Sequence, residues 1–369
     1  MKIDAIEIVH VAMPLIYPFR TAFGNNDTIE SVFVRLSSGE HYGWGESSPW
    51  KLPAYSPECC SAQFLISRDI MAPLLLGQDI ESGDDLQGHL SGLKGNYFAK
   101  AGFDLAWWDL HAKMQGTPLW QLIGGKNATI EVGADFGVME TIDELFREMY
   151  SAQQHGYKRV KLKFRPGWDL WMIEAVRKEF PDTIIHVDCN SAYTLNDLDT
   201  IKELDRYNLA MIEQPLMHDD LLDHAKLQAE IKTPVCLDES IVSTHSARKA
   251  IECGACQWVN IKPGRVGGIT NAVAINKICM DADIPCWIGG MLESAVGAAH
   301  CVALATLSNM KYPADIFPTD RFYHDDLGEP EMVHSGPSEF QATTKPGIGV
   351  EPKAEALDKL SLSRASLVA

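Results

Sequence analysis

Hydrophobic and polar positions change period twice along the chain. Residues 1 to about 50 alternate in short runs, "AIEIVHVAMPL" and then "SVFVRLSSGEHYGWGESS", where "SSGE" separates two alternating segments as a turn. "NYFAKAGFDLAWWDLHAKMQG" instead spaces Phe98, Ala101, Leu105, Trp108 and Ala112 as one face of a helix, which Gly116 and Pro118 close. Past Gly125 a regular alternation sets in. Apolar strand-like runs end at Asp135, Lys163, Asp188, Glu213, Asp238, Lys262 and Gly289, each followed by a helix-like segment such as "NDLDTIKELDRY" or "TNAVAINKICMDADI". The successive steps from Asp188 to Lys262 are 25, 25 and 24 residues, the length of a βα unit, so the pattern predicts parallel strands wrapped by helices in a barrel. An open doubly wound sheet would alternate in the same way. It is disfavoured because no G-x-G-x-x-G opens a helix and polar residues finish nearly every strand.

"RVKLKF" makes the barrel chemically specific. Val160, Leu162 and Phe164 alternate with Lys161 and Lys163, and the large apolar residues of a barrel strand pack against the surrounding helices, which turns both lysines inward. An unpaired ammonium there costs several kcal/mol, so anions are expected opposite. The next three runs end in them: "IIHVDCN" in Asp188, "LAMIEQP" in Glu213 and "PVCLDES" in Asp238. Any one of these could serve as a helix N-cap. Three at equal spacing on adjacent strands would repel one another unless they share a cation, and oxygen ligands suit Mg²⁺, with Mn²⁺ as the alternative. "QWVNIKPGRVGG" then sets Lys262 on the far flank. Two amines with a metal between them suit removal of a proton α to a carboxylate, with Lys163 and Lys262 as bases and Lys161 as the neighbour that depresses the pKa of Lys163 or touches the substrate. Asn190 and Glu239 stand beside ligands, either supporting them or serving as caps and surface residues.

Composition adds exclusions. A formal charge of −18 with no basic run argues against nucleic acid or an anionic membrane as partner. No apolar run approaches the roughly 20 residues of a membrane span, and the alternating start lacks a signal-peptide core, so a cytoplasmic protein is expected. Nine scattered cysteines fit reduced thiols, and "CGAC" has no second pair to make a zinc site.

"KLK", the three carboxylates and "NIKPGRVGG" resemble the muconate-lactonising subgroup of the enolase superfamily. "MPLIYPFRTAFG" and "GWGESSPW" are similar to its capping domain, and "PGWD", "LDESIVS", "GGMLES" and "DRFY" to its barrel. Within it, "PFRTAFG", "KPGRVGG" and "DRFY" most resemble the branch of o-succinylbenzoate synthases that includes N-succinylamino acid racemases. The resemblance implies a modified (β/α)7β barrel over residues 126–321 and an α+β capping domain over 1–125, completed by about 322–369. It implies Mg²⁺ on Asp188, Glu213 and Asp238, with Lys163 and Lys262 as the acid/base pair. The synthase reaction would be a syn elimination of water yielding o-succinylbenzoate for menaquinone synthesis; the racemase reaction would use both lysines.

Cap loops are expected to set specificity. Phe19, Arg20, Phe23, Trp50 and Tyr55 offer aromatic surface and one cation, or else pack at the domain interface. Arg265 resembles the arginine of the branch with racemase activity, and Gly290, Met291 and Glu293 of "GGMLES" are expected at the substrate. Asp135 would be unfavourable near an anionic substrate unless paired with Lys161 or a cationic substrate group, and Cys189 stands where the family has a small residue. A dipeptide epimerase would carry a DxD near the eighth strand, where Asp315 stands alone, and muconate cycloisomerisation is a weaker alternative. A zinc amidohydrolase would need a His-x-His in "EVGADFG", a Schiff-base aldolase would leave the carboxylates without a task, and a non-catalytic barrel would be expected to have lost a ligand or base. A small-molecule carboxylate is the expected partner, with a homo-oligomer possible.

Overall fold

The structure is a computed structural model that describes residues 1–21 and 24–369. Three strands open the chain, β1 (Ala5–Thr21), β2 (Gly24–Ser38) and β3 (His41–Ser47). A short β4 (Thr129–Glu131) precedes seven strands: β5 (Ala134–Phe136), β6 (Arg159–Lys163), β7 (Ile184–Asp188), β8 (Ile212–Glu213), β9 (Val235–Leu237), β10 (Trp258–Ile261) and β11 (Cys286–Ile288). The C-terminal segment adds β12 (Gly328–Glu329), β13 (Glu339–Gln341), β14 (Glu351–Pro352) and β15 (Ser361–Val368).

The cap sheet runs β15-β1-β2-β3, all antiparallel, so the last strand of the chain pairs with the first. The predicted helix forms over Tyr97–Met114, but it is buried nearly all round instead of along one stripe: Phe103, Trp107 and Leu110 are as sealed as Phe98 and Leu105. The reason is its position between the cap sheet and the barrel. On the sheet side the glycines of "YGWGES" let backbone meet backbone, since a Cβ on Gly43 would fall 2.2 Å from Leu110 N and one on Gly45 2.3 Å from Gly102 O.

Strands β5 to β11 are parallel and adjacent in chain order, as a right-handed succession of βα units requires. An irregular eighth segment closes the ring. Lys311 and Asp315 donate their N–H groups to Cys286 and Ile288 on one side, while Ala314 exchanges hydrogen bonds with Glu131 and Gly133 on the other. The fold is the modified (β/α)7β barrel with a capping domain. Val160, Leu162 and Phe164 are buried in the main core, and Lys161 and Lys163 are buried facing carboxylates of neighbouring strands.

Cap carboxylates clasp barrel helices. Glu46 on β3 accepts from Ser294 N, Ser294 Oγ and Gly297 N at the start of the helix Ala295–Ala305. Asp104 accepts from Thr270 N at the start of Ile269–Asp281. Each supplies an acceptor to unpaired helix N–H groups. Burial pushes the Glu46 carboxyl up to about 7 and that of Asp104 up to about 6.

Candidate active site

The three-residue alternation of β6 delivers Arg159, Lys161 and Lys163 to the barrel interior. Register sets Lys161 beside Asp135 of β5 and Lys163 beside Asp188 of β7. Lys163 Nζ donates to Asp188 Oδ2 at 2.6 Å and to Asn190 Oδ1 at 3.0 Å. Asn190, held with φ of 44°, returns its own N–H to Asp188 Oδ1 and donates from Nδ2 to Glu239 Oε1 at 3.2 Å. Lys161 Nζ lies 3.2 Å from Asp135 Oδ2, pairs with Asp315, and stands 3.9 Å from Asp188 Oδ2.

Lys161 is itself held in its charged form. Burial penalises its ammonium, but Asp135, Asp315, Glu213 and Asp188 outweigh burial and hold its own pKa well above the ordinary lysine value. It is a counter-ion at the centre of a carboxylate cluster. Arg159, one step deeper, was not singled out in the sequence although it shares the parity of the two lysines. It ion-pairs with Asp315 at 2.7 Å and lies over Trp287 and Tyr312. Asp315→Ala would leave Lys161 short of an anion and Arg159 buried without its ion-pair partner. Loss of one member of such a buried network costs about 3 to 5 kcal/mol, and the urea midpoint should fall accordingly with unchanged denaturant slope.

Glu213, at the end of β8, accepts from Asn260 Nδ2 at 2.6 Å through Oε1, while Oε2 lies 3.3 Å from His186 Nε2 and has no hydrogen bond. Burial alone would raise its pKa; Lys161, His186 and Lys262 reverse that and hold the carboxyl well below its usual range. Asp238, one residue past β9, takes Lys262 Nζ at 2.8 Å on Oδ2 and Tyr55 Oη at 3.0 Å on Oδ1, where Arg265 also binds. Lys262, one residue past β10, also reaches Tyr55 Oη at 3.2 Å. Burial works against its charge, and Tyr55 together with Glu213, Glu239 and Asp188 raises its pKa despite that. Glu239 is pushed up to about 7 by burial and by the charge of Asp188, and its Oε2 has no hydrogen-bond partner.

The donor set fits Mg²⁺ in kind: three carboxylates at the ends of consecutive strands, with one buried oxygen, Glu213 Oε2, left without a hydrogen bond. Their oxygens do not all lie within 4.8 Å of one another, and Asp188 and Asp238 each hold a lysine. Among the described residues, three ligand-type atoms approach that closely at His10, Glu30 and Cys60 in the cap, where His10 Nε2 already bonds Glu30 Oε2 at 2.8 Å.

Specificity candidates divide. Tyr55, expected on a loop surface, reaches into the barrel to Asp238 and Lys262. Trp50, at φ of 75°, donates from Nε1 to Met291 O. Arg265 is sealed: its Nε and Nη2 donate to Ile241 O and Asn260 O, and its Nη1 donates to Tyr55 Oη and to Asp238, so the guanidinium sits on one of the three carboxylates of the arc. Glu293 folds back on Met291 N, and its carboxyl is raised by burial. Gly290 lies against Asp315 O, 2.5 Å from where a Cβ would stand. Phe19 is buried edge-on to Phe322 at 5.8 Å, the packing alternative. Cys189 is buried, with its thiol pKa raised by burial. Phe23 and the side chain of Arg20 lie outside the described residues.

Comparison with known proteins places this geometry. Residues 144–356 match the family described as enolase C-terminal domain-like, and residues 3–124 match the mandelate racemase / muconate lactonizing enzyme N-terminal domain. The chain belongs to the enolase superfamily. Superfamily members are enzymes that use Mg²⁺. The superfamily chain is 41% identical over 355 residues to an o-succinylbenzoate synthase of Geobacillus kaustophilus, covering 95% of this chain and 94% of that one. It is 38% identical over 362 residues to an N-succinylamino acid racemase of Thermus thermophilus, covering 98% of each. A solved enolase-superfamily member from Listeria innocua superposes with a TM-score of 0.96 at 36% identity, covering 100% of this chain and 99% of that one. Among the described residues no helix is long and apolar enough to cross a membrane.

Proposed function

We propose that the chain removes a proton α to a substrate carboxylate, with dehydration to o-succinylbenzoate as its main reaction. The carrying observation is that one lysine stands on each flank of the carboxylate arc, Lys163 on Asp188 and Lys262 on Asp238, with β8 and Glu213 between them. Relatives bearing the synthase name support that choice of reaction. Asp188, Glu213 and Asp238 would hold Mg²⁺. When bound, the ion would offset the carboxylates that now hold the lysine ammonium groups and would stabilise charge developing on the substrate carboxylate. Lys163 takes the α-proton as its neutral amine and, on the same face, returns it to the departing hydroxide as water. Lys262 faces the substrate from the opposite flank as an ammonium and offsets negative charge. Lys161 stays charged and positions Asp135 and Asp315. The cap, residues 1–125 with 322–369, would close over the barrel of residues 126–321. A cytoplasmic setting and a free small-molecule carboxylate, without nucleic acid or membrane, accompany this reading.

A second reaction, racemisation of an N-succinylamino acid, is favoured by the presence of an amine on each flank and by the Thermus relative. Assay of purified protein with both substrate types decides between them. Chelation should abolish either activity, with Mg²⁺ or Mn²⁺ restoring it, and Asp238→Asn should weaken metal binding measured calorimetrically. Full activity of a metal-free preparation would overturn the reading.

A further inference from the structure

The apolar face that the cap sheet turns to its own core ends in three groups for which the barrel chemistry has no use. Ile6 and Ile8 of β1 and Val32, Val34 and Leu36 of β2 line that core, and the same face of the sheet continues to His10 and, beyond Val32, to Glu30. Cys60, the first residue of the helix Cys60–Ile66, packs on this end of it. His10, Glu30 and Cys60 are 5, 6 and 0% exposed. His10 Nε2 and Glu30 Oε2 stand 2.8 Å apart, and the Cys60 thiol joins them within 4.8 Å.

Thiol, imidazole and carboxylate are the donor types of a zinc site. Ligands held at zinc bond lengths around a tetrahedral ion stand roughly 3.3 to 3.7 Å from one another, between the 2.8 Å of the His10–Glu30 contact and the 4.8 Å limit of the cluster. Small shifts therefore suffice. The mixed set also selects the metal, because sulfur and imidazole nitrogen suit Zn²⁺ whereas Mg²⁺ takes oxygen. Charge balances as well: thiolate and carboxylate neutralise the ion, and the imidazole binds as a neutral ligand. The thiol proton leaves to solvent as the S–Zn bond forms.

The place of the cluster in the fold gives such an ion a task. Glu30 O accepts from Ser48 Oγ at 2.7 Å and from the Cys60 thiol at 3.1 Å, and Cys60 N donates to Trp50 O at 3.0 Å, so both ends of residues 49–59 are tied to one point on β2. Those residues carry Trp50 to Met291 and Tyr55 to Asp238 and Lys262. We infer that His10, Glu30 and Cys60 form a zinc site in the cap, separate from the carboxylate arc, that clamps the stem of this loop. Its fourth position is left to water. The inference stands apart from the reaction assigned to the barrel.

The test uses the full chain, stripped of metal, given excess Mg²⁺ for the carboxylate arc and then titrated with Zn²⁺. One Zn²⁺ per chain should be retained through dialysis against Mg²⁺ and should raise Tm. X-ray absorption at the zinc edge should show one sulfur at about 2.3 Å with nitrogen and oxygen at about 2.0 to 2.2 Å. Co²⁺ in its place should give a near-ultraviolet thiolate-to-cobalt charge-transfer band. Cys60→Ser should abolish the sulfur and the band and lower Zn²⁺ affinity by at least about 10²-fold, the upper end of what loss of a mere supporting partner costs. His10→Gln, which keeps the thiol, should also weaken binding, and Cys253→Ser in "CGAC" should leave it unchanged. Failure to retain Zn²⁺ in excess Mg²⁺, or a shell with no sulfur or with two, would overturn the inference on the parent chain alone, whatever the variants do. A cobalt band undiminished in Cys60→Ser, or Zn²⁺ affinity undiminished in His10→Gln, would overturn it equally.

Discussion

Lys163→Ala should lower turnover by at least about 10² to 10⁴-fold, the usual contribution of a general base, because no other amine is bonded to the same face of the carboxylate arc. Lys163 is bonded to Asp188 Oδ2 at 2.6 Å and to Asn190 at 3.0 Å, and Lys161, the nearest alternative, is occupied by Asp135 and Asp315. The variant also separates two meanings of lost activity. Removing the ammonium from Asp188 frees a carboxylate oxygen, so Mn²⁺ should bind at least as tightly as to the parent protein while turnover collapses. Lys161→Ala should be milder in chemistry and harsher in stability, since it leaves Asp135 and Asp315 buried without their shared cation. If turnover suffered far more from Lys161→Ala than from Lys163→Ala in folded protein, the two roles would have to be exchanged.

Lys262→Ala should stop interconversion of N-succinylamino acid enantiomers without stopping all proton exchange. Racemisation needs a proton donor and acceptor on each face of the α-carbon, and only Lys163 would remain. In D₂O one enantiomer should exchange its α-proton with retention and the other should not exchange, a pattern readable by NMR of each pure enantiomer. Dehydration should fall in rate through loss of a cation, because syn elimination uses a single base. Asp238 keeps Arg265 and the Tyr55 hydroxyl as partners, so the fold should survive the substitution. Racemisation at near parental rate would show that Lys262 is not the opposing base.

How much of this was readable in advance follows from the range of each interaction. Alternation along "RVKLKF" reports which face a side chain takes, because that is set by the geometry of one strand. The 25-residue recurrence reports a βα succession, and both are properties of neighbours in sequence. Asp188, Glu213, Asp238 and both catalytic candidates therefore stood out, as did the superfamily motifs. Pairing with Lys161 was one of two conditions under which Asp135 could stand near an anionic substrate, and the two side chains do meet at 3.2 Å.

Other features needed the chain to come together. Asp315 reads in sequence as a lone acid in "YPADIFPTD", yet it anchors Arg159 and Lys161 across 156 and 154 positions, because the eighth segment closes the ring beside β5. Arg265 reads as a site residue, but its partners come from distant parts of the chain: Asp238, the Tyr55 hydroxyl and the carbonyls of Ile241 and Asn260. Glu46 sits in the quoted "GWGESSPW" and Asp104 mid-way along the helix Tyr97–Met114, yet neither context shows its task; they matter because the fold brings them to bare helix N-termini of the barrel. The sequence by itself determined the strand order, the inward faces and the chemical inventory of the site, since those depend on local periodicity. Only the tertiary structure decided which cation each carboxylate holds and which acid keeps an unused oxygen, because burial and partner choice are set by groups brought together from distant parts of the chain.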